Sequence, residues 1–388
     1  MPSLIDRPND RARLTALSRD FPVVALIGPR QVGKSTLARQ MVEARRGPTH
    51  FFDLERDADR ARLADPMLTL GDARGLVVID EVQHVPELFR SLRVLADEHE
   101  VKRRFLVLGS AAPALLHQSS ESLAGRIAYH ELHGFRLDEL GVTALTKRWL
   151  RGGFPRSFLA RSDATSYEWR DEFLRTFLER DVPQFGVRIP SATLRRFWLM
   201  LTHYHAQTWN SSELARAFGV AHTTVHRYLD VLTETFMLRQ LPMWHENISK
   251  RQVRAPKIYI RDSGLLHTLL AVHSRAELEA HPKVGASWEG FALDVVLTRL
   301  GARDNEAYGW ATHTGAELDL LVMRGHTRIG VEFKRTSAPT MTPSMRIALG
   351  DLHLDQLYVV HGGTHTFPLH ERMKAVPLAR VMTDMSTL

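Results

Sequence analysis

Over residues 1–150 short β-branched and aliphatic runs alternate with helical stretches, the pattern of an α/β sheet. Strands are predicted at Val23–Ile27, His50–Leu54, Leu76–Ile79 and Phe105–Leu108. A turn-rich break follows at Arg151-Gly152-Gly153-Phe154-Pro155. Beyond it the apolar period becomes helical, over Tyr167–Arg180, Thr193–His203, Ser212–Ala217 and Thr223–Thr235. From about Gly285 a third region opens with a helix over Trp288–Leu300. Two alternating runs then flank Arg324-Gly325-His326, which reads as a hairpin. The expected organisation is a parallel α/β domain over 1–150, a helical region over 151–280 and a C-terminal α/β domain over 281–388. No repeat of solenoid length and no low-complexity tract appears.

Composition narrows the chemistry. The 388 residues are 44% hydrophobic and 24% charged, enough apolar material for real cores. There is no cysteine, which excludes disulfides, a thiol nucleophile and Cys-ligated zinc, and points to a reducing compartment. The apolar runs near Phe21–Ile27 and Phe105–Leu108 are too short to span a bilayer. The N-terminus carries early charge and no signal-type apolar core. A cytoplasmic protein with no membrane partner is expected. The net charge is +7. Its excess lies in residues 151–260, with 16 basic and 10 acidic side chains, mostly arginine, a good phosphate ligand. A solvated surface in an arginine-preferring proteome would show the same surplus.

The strand Val23–Ile27 runs into Gly28-Pro29-Arg30-Gln31-Val32-Gly33-Lys34-Ser35-Thr36 and then a helix. This is a phosphate loop in its required context. Glycines let backbone N–H groups close on phosphate oxygens, and the helix N-terminus adds partial positive charge. Lys34 would reach the β- and γ-phosphates, and Ser35 would ligate Mg²⁺. The strand Leu76–Ile79 ends in Asp80-Glu81. Adjacent acids at a buried strand tip call for a cation. Asp80 suits the Mg²⁺ shell, and Glu81 suits a general base acting on water. No Asn-Lys-x-Asp guanine-reading sequence occurs, so ATP is expected. Ser110, after Phe105–Leu108 and Gly109, is either a γ-phosphate sensor or a strand cap. Arg126, after Leu123-Ala124-Gly125, is either an arginine finger acting on a neighbour's nucleotide or a surface arginine.

Two further patterns lie downstream. Asn210 to Phe218, the turn Gly219-Val220 and Ala221 to Leu229 form a helix-turn-helix with core positions Leu214, Ala215, Val220, Val225 and Leu229. That leaves His222, Thr223, Thr224, His226 and Arg227 for a major groove, or for packing against a partner; Leu238–Met243 would be a wing strand. In the C-terminal hairpin, Leu318, Leu320 and Val322 are expected on one face, opposite Asp319. Asp319 and Glu332 would meet across it, with Lys334 on the same face as Glu332. Two carboxylates and a lysine there could hold Mg²⁺ and position water for attack on a phosphodiester; an edge strand of alternating charge looks the same. His203-Tyr204-His205 and His361 to His365 lack acidic partners at ligand spacing and are not read as zinc sites.

Taken together, the phosphate loop, Val78-Ile79-Asp80-Glu81-Val82-Gln83, Gly109-Ser110, Leu123–Arg126, Arg151–Pro155, Phe177–Val182, the helix-turn-helix, Glu317-Leu318-Asp319 and Val331-Glu332-Phe333-Lys334 resemble bacterial and archaeal AAA-type ATPases with a C-terminal DUF4143 domain. The resemblance spans nearly the whole chain. It implies an AAA-type P-loop core, a winged-helix segment and a fold similar to PD-(D/E)XK nucleases, whose site Glu289 would complete. It also implies assembly as a homo-oligomer, a hexameric ring among the options. The expected function is a Mg²⁺-dependent ATPase that binds and remodels DNA, with an endonuclease in the C-terminal domain as a further option. The alternative is a nucleotide-gated switch of toxin–antitoxin type without nuclease activity. A third reading is a metal-dependent nuclease that uses ATP only for regulation.

Overall fold

The computed structural model describes residues 5–98, 102–110, 123–184, 189–246 and 250–387. It divides into two compact units, one of residues 1–134 with 234–236 and one of residues 135–233 with 237–388. No described helix is long and apolar enough to cross a membrane.

The first unit is a parallel sheet of β1 (Val23–Ile27), β2 (Thr49–Asp53), β3 (Gly75–Asp80), β4 (Arg103–Gly109) and β5 (Ile127–Glu131), in the order β2-β3-β4-β1-β5. Every residue of β1 is buried, because both faces of the sheet are covered. Val24 and Leu26 pack with the helices Pro8–Asp20 and Lys34–Glu43. Val23, Ala25 and Ile27 pack on the side of the helix Leu88–Asp97. Four strands match the sequence pattern. The fifth, β5, is not among the predicted strands, since Ile127-Ala128-Tyr129-His130-Glu131 has no alternating apolar period and only Ala128 is buried, as an edge strand allows.

The second unit begins with helices. Asp163–Thr176 continues as a π-helical turn, Phe177–Asp181. The wider turn keeps Phe177, Leu178 and Val182 in the core while Glu179 and Arg180 stay exposed. Three helices follow, Ser191–Leu201, Ser211–Phe218 and His222–Glu234. They accompany a small sheet of β6 (Gln207–Thr208), β7 (Leu238–Leu241) and β8 (Lys257–Ile260), in the order β6-β8-β7. The larger sheet holds β9 (Ala307–Ala311), β10 (Glu317–Arg324), β11 (Thr327–Lys334), β12 (Gln356–His361), β13 (Phe367–His370) and β14 (Met373–Pro377), in the order β13-β14-β12-β11-β10-β9. β10 and β11 form the expected hairpin, turning at Gly325 with φ of 60°. One expected face is different. Leu318 packs with Leu321, whereas Leu320 and Val322 lie in another core. The ladder to β9 is irregular between Leu318 and Leu321, and this bulge ends the simple alternation at Asp319.

The break at Arg151–Pro155 has a structural reason. Asp262 caps the helix Ser263–Leu269 by accepting from the Leu265 N–H at 3.0 Å, and its second oxygen accepts from the Gly153 N–H at 2.7 Å. A Cβ on Gly152, whose φ is +78°, would lie 2.0 Å from that carboxylate. The glycine therefore admits a buried acid against the backbone. Asp262→Ala would orphan two buried N–H groups, and we expect it to lower stability by about 2–4 kcal/mol. A thermal or denaturant midpoint within error of wild type would contradict this.

Candidate functional site

The loop after β1 is built for an anion. Gly28 has a φ of +144°, and a Cβ there would lie 2.4 Å from the Leu132 carbonyl oxygen. Gly33 adopts a left-handed conformation at the N-cap of the helix Lys34–Glu43. The buried Arg7 guanidinium donates to the carbonyls of Val32 at 3.2 Å and His133 at 2.8 Å, pinning the loop from behind. Lys34 Nζ donates to the Gly28 and Pro29 carbonyls, both at 2.9 Å, and to Ser110 Oγ at 3.1 Å. Arg30 pairs with Glu55 at 2.7 Å. Gln31 takes a φ of 62°, unusual for a side chain.

Opposite the loop, β3 delivers Asp80 and Glu81. Asp80 is buried, and burial is the main cause that pushes its carboxyl up to about 6, with the Glu81 charge adding. A hydrogen bond from Ser35 and the Lys34 ammonium pull the other way. Glu81 is left-handed, at φ 55° and ψ 48°, a strained conformation of the kind kept at functional positions. This bend sets its carboxylate beside Ser110 Oγ, at 3.2 Å, and beside the Gln83 amide. Lysine, two carboxylates and two hydroxyls thus converge at the carboxyl ends of adjacent strands. The residues fit a magnesium–triphosphate: Ser35 and Asp80 are hard oxygen donors, and Asp80 is a buried acid in want of a cation. Arg126 lies apart, held by Asp97 at 2.5 and 2.9 Å.

In the second unit, His222, Thr223, His226 and Arg227 are exposed on the helix His222–Glu234, and Thr224 is half-buried. Tyr228, Leu229 and Val225 face inward. His226 lies edge-on to Trp209, with centroids 5.2 Å apart, and His222 Nδ1 is 3.1 Å from Ser211 Oγ. The paired histidine motifs are structural. His205 is buried and accepts from the Ile260 N–H at 3.0 Å, and His361 accepts from the Gly363 N–H at 3.0 Å. Burial drives His205 down to about 3, so it is neutral.

The C-terminal acids also meet. Asp319 lies one step beyond the ladder pair Leu320–Val331, next to Glu332 and Phe333. Its Oδ2 accepts from the Phe333 N–H at 3.0 Å, and its Oδ1 receives the Lys257 ammonium at 2.8 Å. Glu289 accepts from the Tyr259 hydroxyl at 2.8 Å and lies 3.7 Å from Lys257. Lys334 pairs with Glu332 at 2.7 Å. Burial, and then the Asp319 charge, raise the carboxyls of Glu289 and Glu332. Burial opposes the Lys257 charge, but Asp319 and Glu289 outweigh it and hold the ammonium charged.

Comparison with known proteins matches three successive stretches of the chain. A family model described as an AAA domain matches residues 20–141, and domains of unknown function DUF8612 and DUF4143 match residues 142–276 and 284–381. Uncharacterized proteins of Mycobacterium bovis and Mycobacterium tuberculosis are each 50% identical over 383 residues, which covers 99% of this chain and 86% of theirs. The chain belongs to the family of AAA-domain proteins with a C-terminal DUF4143 domain. Among solved structures, a Walker-type ATPase of Pyrococcus abyssi is 15% identical, with a TM-score of 0.44 over 69% of this chain and 96% of its own.

Two contributors in this family member escaped the sequence reading. Arg7 precedes the first helix and carries no motif. Lys257 opens the apolar strand Lys257-Ile258-Tyr259-Ile260; a lone cation in a buried strand requires an acid partner, and that was the available signal.

The Asp80 shift gives a pH dependence. The native carboxyl binds its proton more tightly than the unfolded one, so this contribution favours the fold at low pH and is lost as pH rises through about 6. In the nucleotide-free protein, Asp80→Asn should therefore gain stability relative to wild type as pH rises from about 4 to about 8, by up to about 3 kcal/mol. Parallel melting profiles of the two proteins over that range would contradict the assignment.

Proposed function

We propose that this P-loop protein is a Mg²⁺-dependent ATP hydrolase of the cytoplasm whose turnover is coupled to nucleic acid held by the helix His222–Glu234. The observation that carries the reading is the convergence of Lys34, Ser35, Asp80, Glu81 and Ser110 at one strand edge. In the mechanism, the loop Gly28 to Thr36 wraps the phosphates with backbone N–H groups. Ser35 and Asp80 would hold the magnesium, which supplies charge neutralisation across the β- and γ-phosphates. Lys34 exchanges its loop carbonyls for phosphate oxygen. Glu81 accepts a proton from the attacking water, and Ser110 orients the Glu81 carboxylate. Division into an ATPase part (1–150), a helical and winged-helix part (151–280) and a C-terminal part (281–388) belongs to the same proposal.

Support for DNA comes from the surplus of arginine in residues 151–260 and from the exposed His222, Thr223, His226 and Arg227 on the second helix of a helix-turn-helix. The order β6-β8-β7 beside three helices agrees with a winged helix.

The Asp97–Arg126 pair favours a second reading. The exposed Arg126 guanidinium has a carboxylate partner within its own unit that competes with a neighbour's nucleotide, and hydrolysis without a finger is slow. The chain would then be a nucleotide-gated, partner-binding switch of toxin–antitoxin type. Assembly into a homo-oligomer, such as a hexamer, would favour the motor instead.

Lys34→Ala should abolish ATP binding by calorimetry. Glu81→Gln should bind ATP normally and turn over about a hundredfold or more slowly. DNA should raise wild-type turnover several-fold; negligible turnover with nucleotide-dependent partner binding would select the switch. Arg227→Ala should weaken duplex binding and make its dependence on log salt shallower by about one unit. Salt-insensitive binding would remove DNA from the proposal.

A further inference from the structure

The fold expected of residues 281–388 implies a divalent metal held by Asp319, Glu332 and Glu289 beside Lys334. The side chains do not fit that ion. Both oxygens of Asp319 are engaged by protein donors, Oδ1 by Lys257 at 2.8 Å and Oδ2 by the Phe333 N–H at 3.0 Å. Glu289 Oε1 accepts from Tyr259 at 2.8 Å and faces Lys257 at 3.7 Å. Lys334, the residue that would position an attacking water, is bound to Glu332 at 2.7 Å. Among the described residues no three His, Asp or Glu side chains are arranged to hold a metal ion.

We propose that the Lys257 ammonium permanently takes the place of the divalent cation, so that the C-terminal domain is a nuclease-like fold closed by an internal ion cluster. Lys257 is not a surface lysine that can swing aside. It is 5% exposed, and its partner Asp319 is 6% exposed. Its backbone lies in β8, the central strand of the small sheet, paired with Leu241 on one side and Thr208 on the other. Mg²⁺ demands about six oxygens in a tight octahedron and keeps several waters. A buried ammonium on Asp319 and beside Glu289 takes up the oxygen and the charge that such an ion would need, and leaves only Glu332 Oε2, among the buried oxygens of the cluster, without a hydrogen-bond partner. The pair also fastens β8 of the helical module to β10 of the large sheet. The cluster thus joins two parts of one unit, and this inference does not depend on the nucleotide site.

The test uses the full chain without nucleotide, with Mn²⁺ as the probe. Wild type should show neither Mn²⁺ binding by calorimetry nor a Mn²⁺-dependent rise in melting temperature that Asp319→Asn removes. Lys257→Ala, and Lys257→Met, which keeps most of the aliphatic stem, leave the acids without their cation. Both should melt lower in EDTA, and Mn²⁺ at about millimolar concentration should restore several degrees, by mass action on the folded state. Adding Asp319→Asn to either variant should abolish the rescue. Asp319-dependent Mn²⁺ binding by wild type, or wild-type DNA cleavage lost in Lys334→Ala, would overturn the proposal. So would folded Lys257 variants that Mn²⁺ does not stabilise. If neither variant folds, the two wild-type measurements decide.

Discussion

In a parallel sheet covered on both faces, the carboxyl edge is where the ends of several strands and the starts of the following helices come together to form a site. That constraint organises the first unit. With β1 fully buried, the polar groups Lys34, Ser35, Asp80, Glu81 and Ser110 gather where β1, β3 and β4 end. The two acids follow an apolar strand directly, so they cannot retreat to solvent. The same geometry explains the left-handed Glu81 and the elevated Asp80. Both are unfavourable in isolation, and both are held because the surrounding strands over-determine the backbone.

The second unit meets its buried charges differently. Asp262 is absorbed by backbone N–H groups that glycines leave accessible. Asp319 and Glu289 are matched by a lysine from another sheet. In each arrangement, removing one member would leave the others orphaned. The two solutions mark where distant segments are locked: the Arg151–Pro155 turn to the helix Ser263–Leu269, and β8 to β10. The Arg151–Pro155 motif therefore belongs to architecture, while the motif around Lys34 belongs to chemistry.

The helix-turn-helix shows how little a surface is constrained by packing. Leu214, Val225 and Leu229 are buried, which is what the fold needs. His222, Thr223 and Arg227 are exposed and lie outside that core, while the exposed His226 ring touches it edge-on at Trp209. A short strand pair and the following segment continue onto the large sheet, where Met243 bridges Gly309 and Gln252 bridges Thr312.

Local sequence was sufficient wherever period and motif act over a few residues. Four of the five strands of the first sheet, the phosphate loop between strand and helix, the helices of the middle region and the turn at Gly325 are all set by short-range pattern. Edge strand β5 was not legible, because an exposed edge has no apolar period to betray it. Neither was the bulge at Asp319, which depends on how β10 meets β9. Lys257 is the sharpest case. Lying 62 residues before Asp319, it has no neighbour in sequence that states its role. Only tertiary structure places its ammonium among the carboxylates, because electrostatic pairing acts through space and the sequence records only order along the chain.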